Sequence, residues 1–124
     1  MTRVNERVKL KRSNLEVSRL SLGTAPLGGL FELVSDIEGE NILKTALDLG
    51  INYFDTAPEY GHGVAERRVG EVLQKTSQPF VIETKVGRLL RKMDGAEPEP
   101  WWPGAPRDIV PIYDYSPAGI KSSF

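Results

Sequence analysis

Apolar and polar residues alternate from the start of the chain. Val8 and Leu10, then Leu15 and Val17, are apolar positions set between charged ones, with Lys11-Arg12-Ser13-Asn14 separating the two pairs. This pattern predicts a hairpin over residues 7–18, with Asn14 able to take a positive φ at its turn. Leu20-Ser21-Leu22 reads as a short strand running into Gly23-Thr24-Ala25-Pro26-Leu27-Gly28-Gly29, where proline and paired glycines break regular structure. The spacing then changes to that of a helix. Ser35 is a good N-cap with Glu38 three residues on, a capping box. Ile42, Ala46 and Leu49, widened by Leu43 and Leu47, make an apolar stripe that Gly50 ends.

Ile51-Asn52-Tyr53-Phe54 follows as a strand ending at Asp55, and Thr56 to Gly63 as a loop. A second amphipathic helix is predicted from Val64, with Ala65, Val69, Val72 and Leu73 on one face. Gly70 inside it costs about 1 kcal/mol relative to alanine. Pro79 to Val86 is a third strand, nearly continuous in apolar residues until its end. Residues 19–86 therefore read βαβαβ, and crossover helices of this length join neighbouring parallel strands with a right-handed turn. Repeating that unit gives either an open doubly wound sheet or a closed eight-strand barrel. The leading hairpin favours the barrel, because it can plug the bottom of a cylinder.

Composition shifts after Gly87. Six of the nine prolines (Pro98, Pro100, Pro103, Pro106, Pro111, Pro117) and both tryptophans, Trp101 and Trp102, come after that point. Residues 87–115 are expected to form a long loop, extended only around Ile109-Val110, and loops of that length are often functional. Ser116-Pro117 starts a helix over 116–124, with Ile120 and Phe124 beginning its apolar face, and the chain reads as cut short there.

Charge is balanced, with 16 Lys+Arg against 17 Asp+Glu, so no basic field exists to draw a nucleic acid. The chain has no cysteine, which excludes disulfides and thiolate metal sites. With one histidine besides, a metal site is not expected. No apolar run approaches the roughly 18 residues that span a bilayer, and the charged start resembles no secretory signal, so a soluble cytoplasmic protein is expected.

Three polar residues stand at strand ends: Asp55 after the second strand, Tyr60 in the loop beyond it, and Lys85 near the end of the third. In a parallel α/β barrel such positions converge on one face. A lysine ammonium beside a phenol stabilises the phenolate, and a carboxylate beside the lysine keeps it charged and aimed. The product is a proton donor and acceptor for a carbonyl or alcohol oxygen, suited to hydride transfer. Each residue also has a plainer reading, as a solvated strand end or an ordinary turn. The Gly23–Gly29 stretch matches no phosphate-binding fingerprint and reads as a backbone turn. His62, between two glycines, is expected on the surface; Trp101-Trp102 could line a substrate pocket, and anchoring of the proline-rich loop is the preferred reading.

Together, Gly50-Ile51-Asn52-Tyr53-Phe54-Asp55-Thr56-Ala57-Pro58-Glu59-Tyr60-Gly61, Ala65-Glu66-Arg67-Arg68-Val69-Gly70 and Thr84-Lys85-Val86-Gly87 resemble the signature segments of the aldo-keto reductase family. Gly23 to Gly29 and Asp114-Tyr115-Ser116 are similar to the D-threo-aldose 1-dehydrogenase (L-fucose dehydrogenase) group, near plant L-galactose dehydrogenases and pyridoxal 4-dehydrogenase. The resemblance implies an α/β fold, the N-terminal part of a (β/α)8 TIM barrel spanning residues 1–124. It implies an NAD(P)-dependent, metal-free oxidoreductase acting on a small carbonyl or sugar substrate, oxidising an aldose at C1 to a lactone or reducing a carbonyl. Asp55, Tyr60 and Lys85 would be catalytic; Gly23, Thr24 and Asp55 would meet the cofactor.

A complete barrel takes roughly 250 residues or more. The family's catalytic histidine follows the fourth strand and has no counterpart here, since His62 lies in the wrong place. The fragment alone is therefore expected to be poorly stable and inactive. Two other readings are a non-catalytic binding protein like potassium-channel β subunits and a truncated gene product without function.

Overall fold

The computed structural model describes residues 3–97 and 99–124; Met1, Thr2 and Pro98 lie outside the described residues. Strands β1 (Arg7–Lys9) and β2 (Glu16–Ser18) pair antiparallel with Val8 opposite Val17. Their turn closes through Leu10 N–H to Leu15 O (3.0 Å) and Leu15 N–H to Ser13 Oγ (3.2 Å). Asn14 does not take the positive φ expected of it: among described non-glycine residues only Phe31 and His62 do. The four-residue loop gives the Ser13 hydroxyl room to cap the turn, so no left-handed residue is needed.

A parallel sheet of β3 (Leu22–Gly23), β4 (Tyr53–Asp55) and β5 (Val81–Glu83), in that order, forms the centre. Helices α1 (Asp36–Asp48) and α2 (Val64–Leu73) make the crossovers. The hairpin is fastened to the amino end of β4. Asn52 Oδ1 accepts from Ser18 N–H (2.6 Å) and Arg7 Nη1 (3.1 Å), and Asn52 N–H donates to Ser18 Oγ (3.0 Å). That is the end of the sheet opposite Asp55.

Phe54, fully buried, centres the core with Leu27, Leu43, Ala46, Leu47, Val69, Val72 and Leu73. The α2 face is the patterned one. On α1 the buried stripe runs Gly39-Leu43-Ala46-Leu47, whereas Ile42 and Leu49 are exposed. The capping box forms as the spacing predicts, Ser35 Oγ accepting from Glu38 N–H (3.2 Å) and Ser35 N–H donating to Glu38 Oε2 (2.9 Å). The third strand is shorter than predicted. Only Val81–Glu83 pairs, because β4 offers three residues and no strand among the described residues pairs with the far edge, leaving Phe80, Ile82 and Val86 exposed.

The proline-rich segment is more ordered than its composition suggests. β6 (Arg88–Lys92) and β7 (Ile109–Tyr113) form an antiparallel ribbon with Leu90 opposite Pro111. A two-stranded ribbon has edges on both sides, so a proline without an N–H can sit in it at no cost to the ladder. Helix α3 (Pro117–Ser122) starts at Ser116, whose Oγ accepts from Gly119 N–H (3.1 Å). Its contact is made by buried Gly119 against Asp114, while Ile120 and Phe124 face outward. Among the described residues no helix is long and apolar enough to cross a membrane.

Candidate active site

β4 and β5 are in parallel register, so Asp55 at the end of one lies beside Glu83, with Lys85 two residues further on the same face. Lys85 Nζ donates to Asp55 Oδ1 at 2.5 Å and to the Thr56 carbonyl at 2.9 Å. The same ammonium stands 4.9 Å from the centroid of the Tyr60 ring. The three residues singled out by position therefore meet in one cluster, with the lysine and aspartate side chains 44% and 31% exposed. Partial burial is the largest single influence on Lys85 and pulls its pKa down. The Asp55 carboxylate and Tyr60 phenol together outweigh it, holding the ammonium above its ordinary 10.5. One layer lower, the Tyr53 hydroxyl donates to Glu83, and that bond raises the Tyr53 pKa above 10.0.

The loops holding this cluster interlock at two glycines. A Cβ on Gly28 would lie 2.5 Å from the Tyr60 carbonyl carbon, and one on Gly61 would lie 2.2 Å from the Gly28 oxygen. Only glycine permits that approach, and Gly61 also has φ +63°. Thr24 is fully buried, and both its N–H and its hydroxyl donate to the Asp55 carbonyl at 2.9 Å. Its hydroxyl thus ties β3 to β4 beneath the cluster. Gly23 is exposed with nothing within 4 Å of where a Cβ would stand, which leaves an open shelf next to Asp55.

Several contributors were not anticipated. Arg68 is buried and reaches from α2 to the Leu27 carbonyl, the Val34 carbonyl (2.6 Å) and Asp36 Oδ1 (2.9 Å), bracing the segment between β3 and α1. Its signal was a charge placed on the apolar side of α2, one turn from Ala65 and Val72. His62 is buried, contrary to the surface position expected of it, with both ring nitrogens engaged by the 88–113 segment. Flanking glycines suggested exposure, but here they supply the left-handed φ values that turn the imidazole inward. Of the two tryptophans, Trp102 is buried with its ring 6.1 Å from that of Tyr60, and Trp101 is largely exposed.

A profile of the Aldo/keto reductase family matches residues 19–116. The chain belongs to the aldo-keto reductase family. It is 39% identical to pyridoxal 4-dehydrogenase of Microbacterium luteolum over 98% of its own length and 38% of that protein's. D-threo-aldose 1-dehydrogenase of a Pseudomonas species is also 39% identical, over 90% of this chain and 35% of that one. Among solved structures, the holo form of an aldo-keto reductase from Bacillus halodurans superposes with a TM-score of 0.69 at 33% identity, covering 94% of this chain and 33% of the other. The chain thus spans little more than a third of the length of these relatives, and its parallel strands and crossover helices are part of the TIM barrel of aldo-keto reductases.

Proposed function

We propose that the protein is an NAD(P)-dependent oxidoreductase in which Tyr60 exchanges a proton with the substrate oxygen, supported by Lys85 and Asp55. The observation that carries this reading is the position of the Lys85 ammonium, bonded to Asp55 and held over the Tyr60 ring. A cation there sets the orientation of the phenol toward the substrate oxygen, and the carboxylate keeps the cation charged and directed. Tyr60 accepts the hydroxyl proton in oxidation and donates it in reduction.

The shelf at Gly23 beside Asp55 fits a flat ring, since a side chain at Gly23 would fill it; Gly23 and Asp55 would hold the cofactor there, with Thr24 bracing them from below. A nicotinamide bound there supplies or accepts the hydride. The likeness to a D-threo-aldose 1-dehydrogenase supports oxidation of an aldose at C1 to a lactone as the preferred reaction, with reduction of a small carbonyl as the alternative.

Replacing Lys85 by methionine in the complete enzyme removes the cation but keeps the stem. Turnover should fall by about 10²–10⁴, the range a positioned proton-transfer group supplies. Turnover within a few-fold of the parent would refute the assignment.

A further inference from the structure

His62 is 3% exposed and is held from two sides by the segment after β5. Its Nδ1 lies 2.8 Å from the Ile109 carbonyl oxygen and its Nε2 lies 2.7 Å from Glu99 Oε2. A carbonyl only accepts, so Nδ1 carries a hydrogen and donates it. Nε2 then faces a carboxylate oxygen, and that contact is a hydrogen bond only if a proton lies between the two. The proton belongs either to an imidazolium donating to an ionised Glu99 or to a carboxylic acid donating to a neutral ring. Without it, a nitrogen lone pair faces an anion. The closed arrangement therefore holds one proton more than a neutral histidine beside an ionised glutamate.

Three charged groups on the surrounding elements have partners of their own. Arg88 of β6 pairs with Glu59 of the same turn as His62, Lys92 faces Asp108 beside Ile109 at 3.6 Å, and Glu66 of α2 accepts from Thr84 Oγ1 at 2.6 Å.

Glu99 opens a tight turn that also carries Trp102. The Trp102 N–H donates to the Glu99 carbonyl (2.8 Å) and the Ala105 N–H to the Trp102 carbonyl (3.0 Å). Tyr60 and His62 share the turn on the opposite side, which closes through His62 N–H to the Glu59 carbonyl (3.1 Å). One bond thus fastens the turn under the indole to the turn under the phenol. We propose that His62 is a positioning residue: its proton-dependent bond to Glu99 locks Trp102 against the Tyr60 ring, and loss of that proton releases the lock. Its consequence for catalysis rests on the role proposed for Tyr60; the lock itself does not.

Fluorescence of Trp102 in a Trp101→Phe background, followed from about pH 5 to about pH 9, reads the lock directly. Emission should move to longer wavelength as pH rises, the open-to-closed ratio changing about tenfold per pH unit across the transition, as one bound proton dictates. Glu99→Gln should abolish the shift, because the carboxamide N–H donates to an unprotonated Nε2 and keeps the turn closed. Amide hydrogen exchange at Trp102 and Ala105 in the unsubstituted chain should lose protection over the same pH range. A parent emission and protection that do not change with pH, or a Glu99→Gln protein that keeps the parent's shift, would overturn the proposal. In the active enzyme the lock predicts a pH-dependent KM that Glu99→Gln flattens. A Tyr60→Phe variant with full turnover would defeat the catalytic reading and leave the fluorescence result standing.

Discussion

Arg68 offers a perturbation whose size follows from its bonds. Substitution by methionine keeps most of the aliphatic stem, which packs against Gly39, and deletes the guanidinium. Two backbone acceptors, the carbonyls of Leu27 and Val34, then lose their donors. The third partner, Asp36, is exposed and keeps its bond to Arg67 (2.9 Å), so it adds nothing to the sum. An acceptor left without a partner away from water costs about 1–3 kcal/mol, which puts the two together at about 2–6 kcal/mol. Lysine has one ammonium for two diverging carbonyls and should recover about half of that loss. Urea unfolding followed by circular dichroism measures both variants on one scale. A loss below about 1 kcal/mol for Arg68→Met, or a lysine variant equal to the parent, would show that the guanidinium does not brace the β3–α1 segment.

Gly61→Ala should cost about 1–3 kcal/mol, because the new methyl collides with the Gly28 carbonyl and the backbone is left-handed; an unchanged thermal midpoint would contradict the interlocking of the two loops. Truncating Phe54 to alanine, at the centre of the core, should cost about 3–5 kcal/mol in the same denaturation assay. Stability should fall in acid. The folded pKa of Asp36 is lowered from 3.8, chiefly by Arg67, and that of Glu38 from 4.5, chiefly by the Ser35 N–H. A lowered carboxylate stabilises the fold above its unfolded pKa and loses that effect as pH falls through the folded one. Lys85, raised above 10.5, acts in the opposite sense: its contribution is complete below that pH and disappears on the alkaline side. Urea midpoints against pH should therefore show a plateau with two falling limbs, and Asp36→Asn should shrink the acid limb while the alkaline limb stays as in the parent.

The parts legible in the sequence are those set by local rules. Ser35 and Glu38 at capping-box spacing place α1 to the residue, and the period of Ala65, Val69 and Val72 orients α2. Asp55, Tyr60 and Lys85 could be grouped because parallel strands deliver their carboxyl ends to one face. What was hidden depends on partners distant in the chain. Leu43 rather than Ile42 is buried because α2 and Phe54 approach from that side, a fact of packing and not of period. The β6–β7 ribbon was masked by Pro111, which denies a strand only where its N–H is needed. His62 and Arg68 turn inward for acceptors found some 30 to 50 residues away in sequence, which no local pattern records.

The most direct test of the account replaces the Tyr60 hydroxyl alone. In the complete enzyme, Tyr60→Phe preserves the ring between Lys85 and Trp102 and removes only the exchangeable proton. Single-turnover hydride transfer should drop by at least about a hundredfold while the dissociation constant for the nicotinamide cofactor stays within a few-fold of the parent. Hydride transfer at the parental rate in that variant would contradict it.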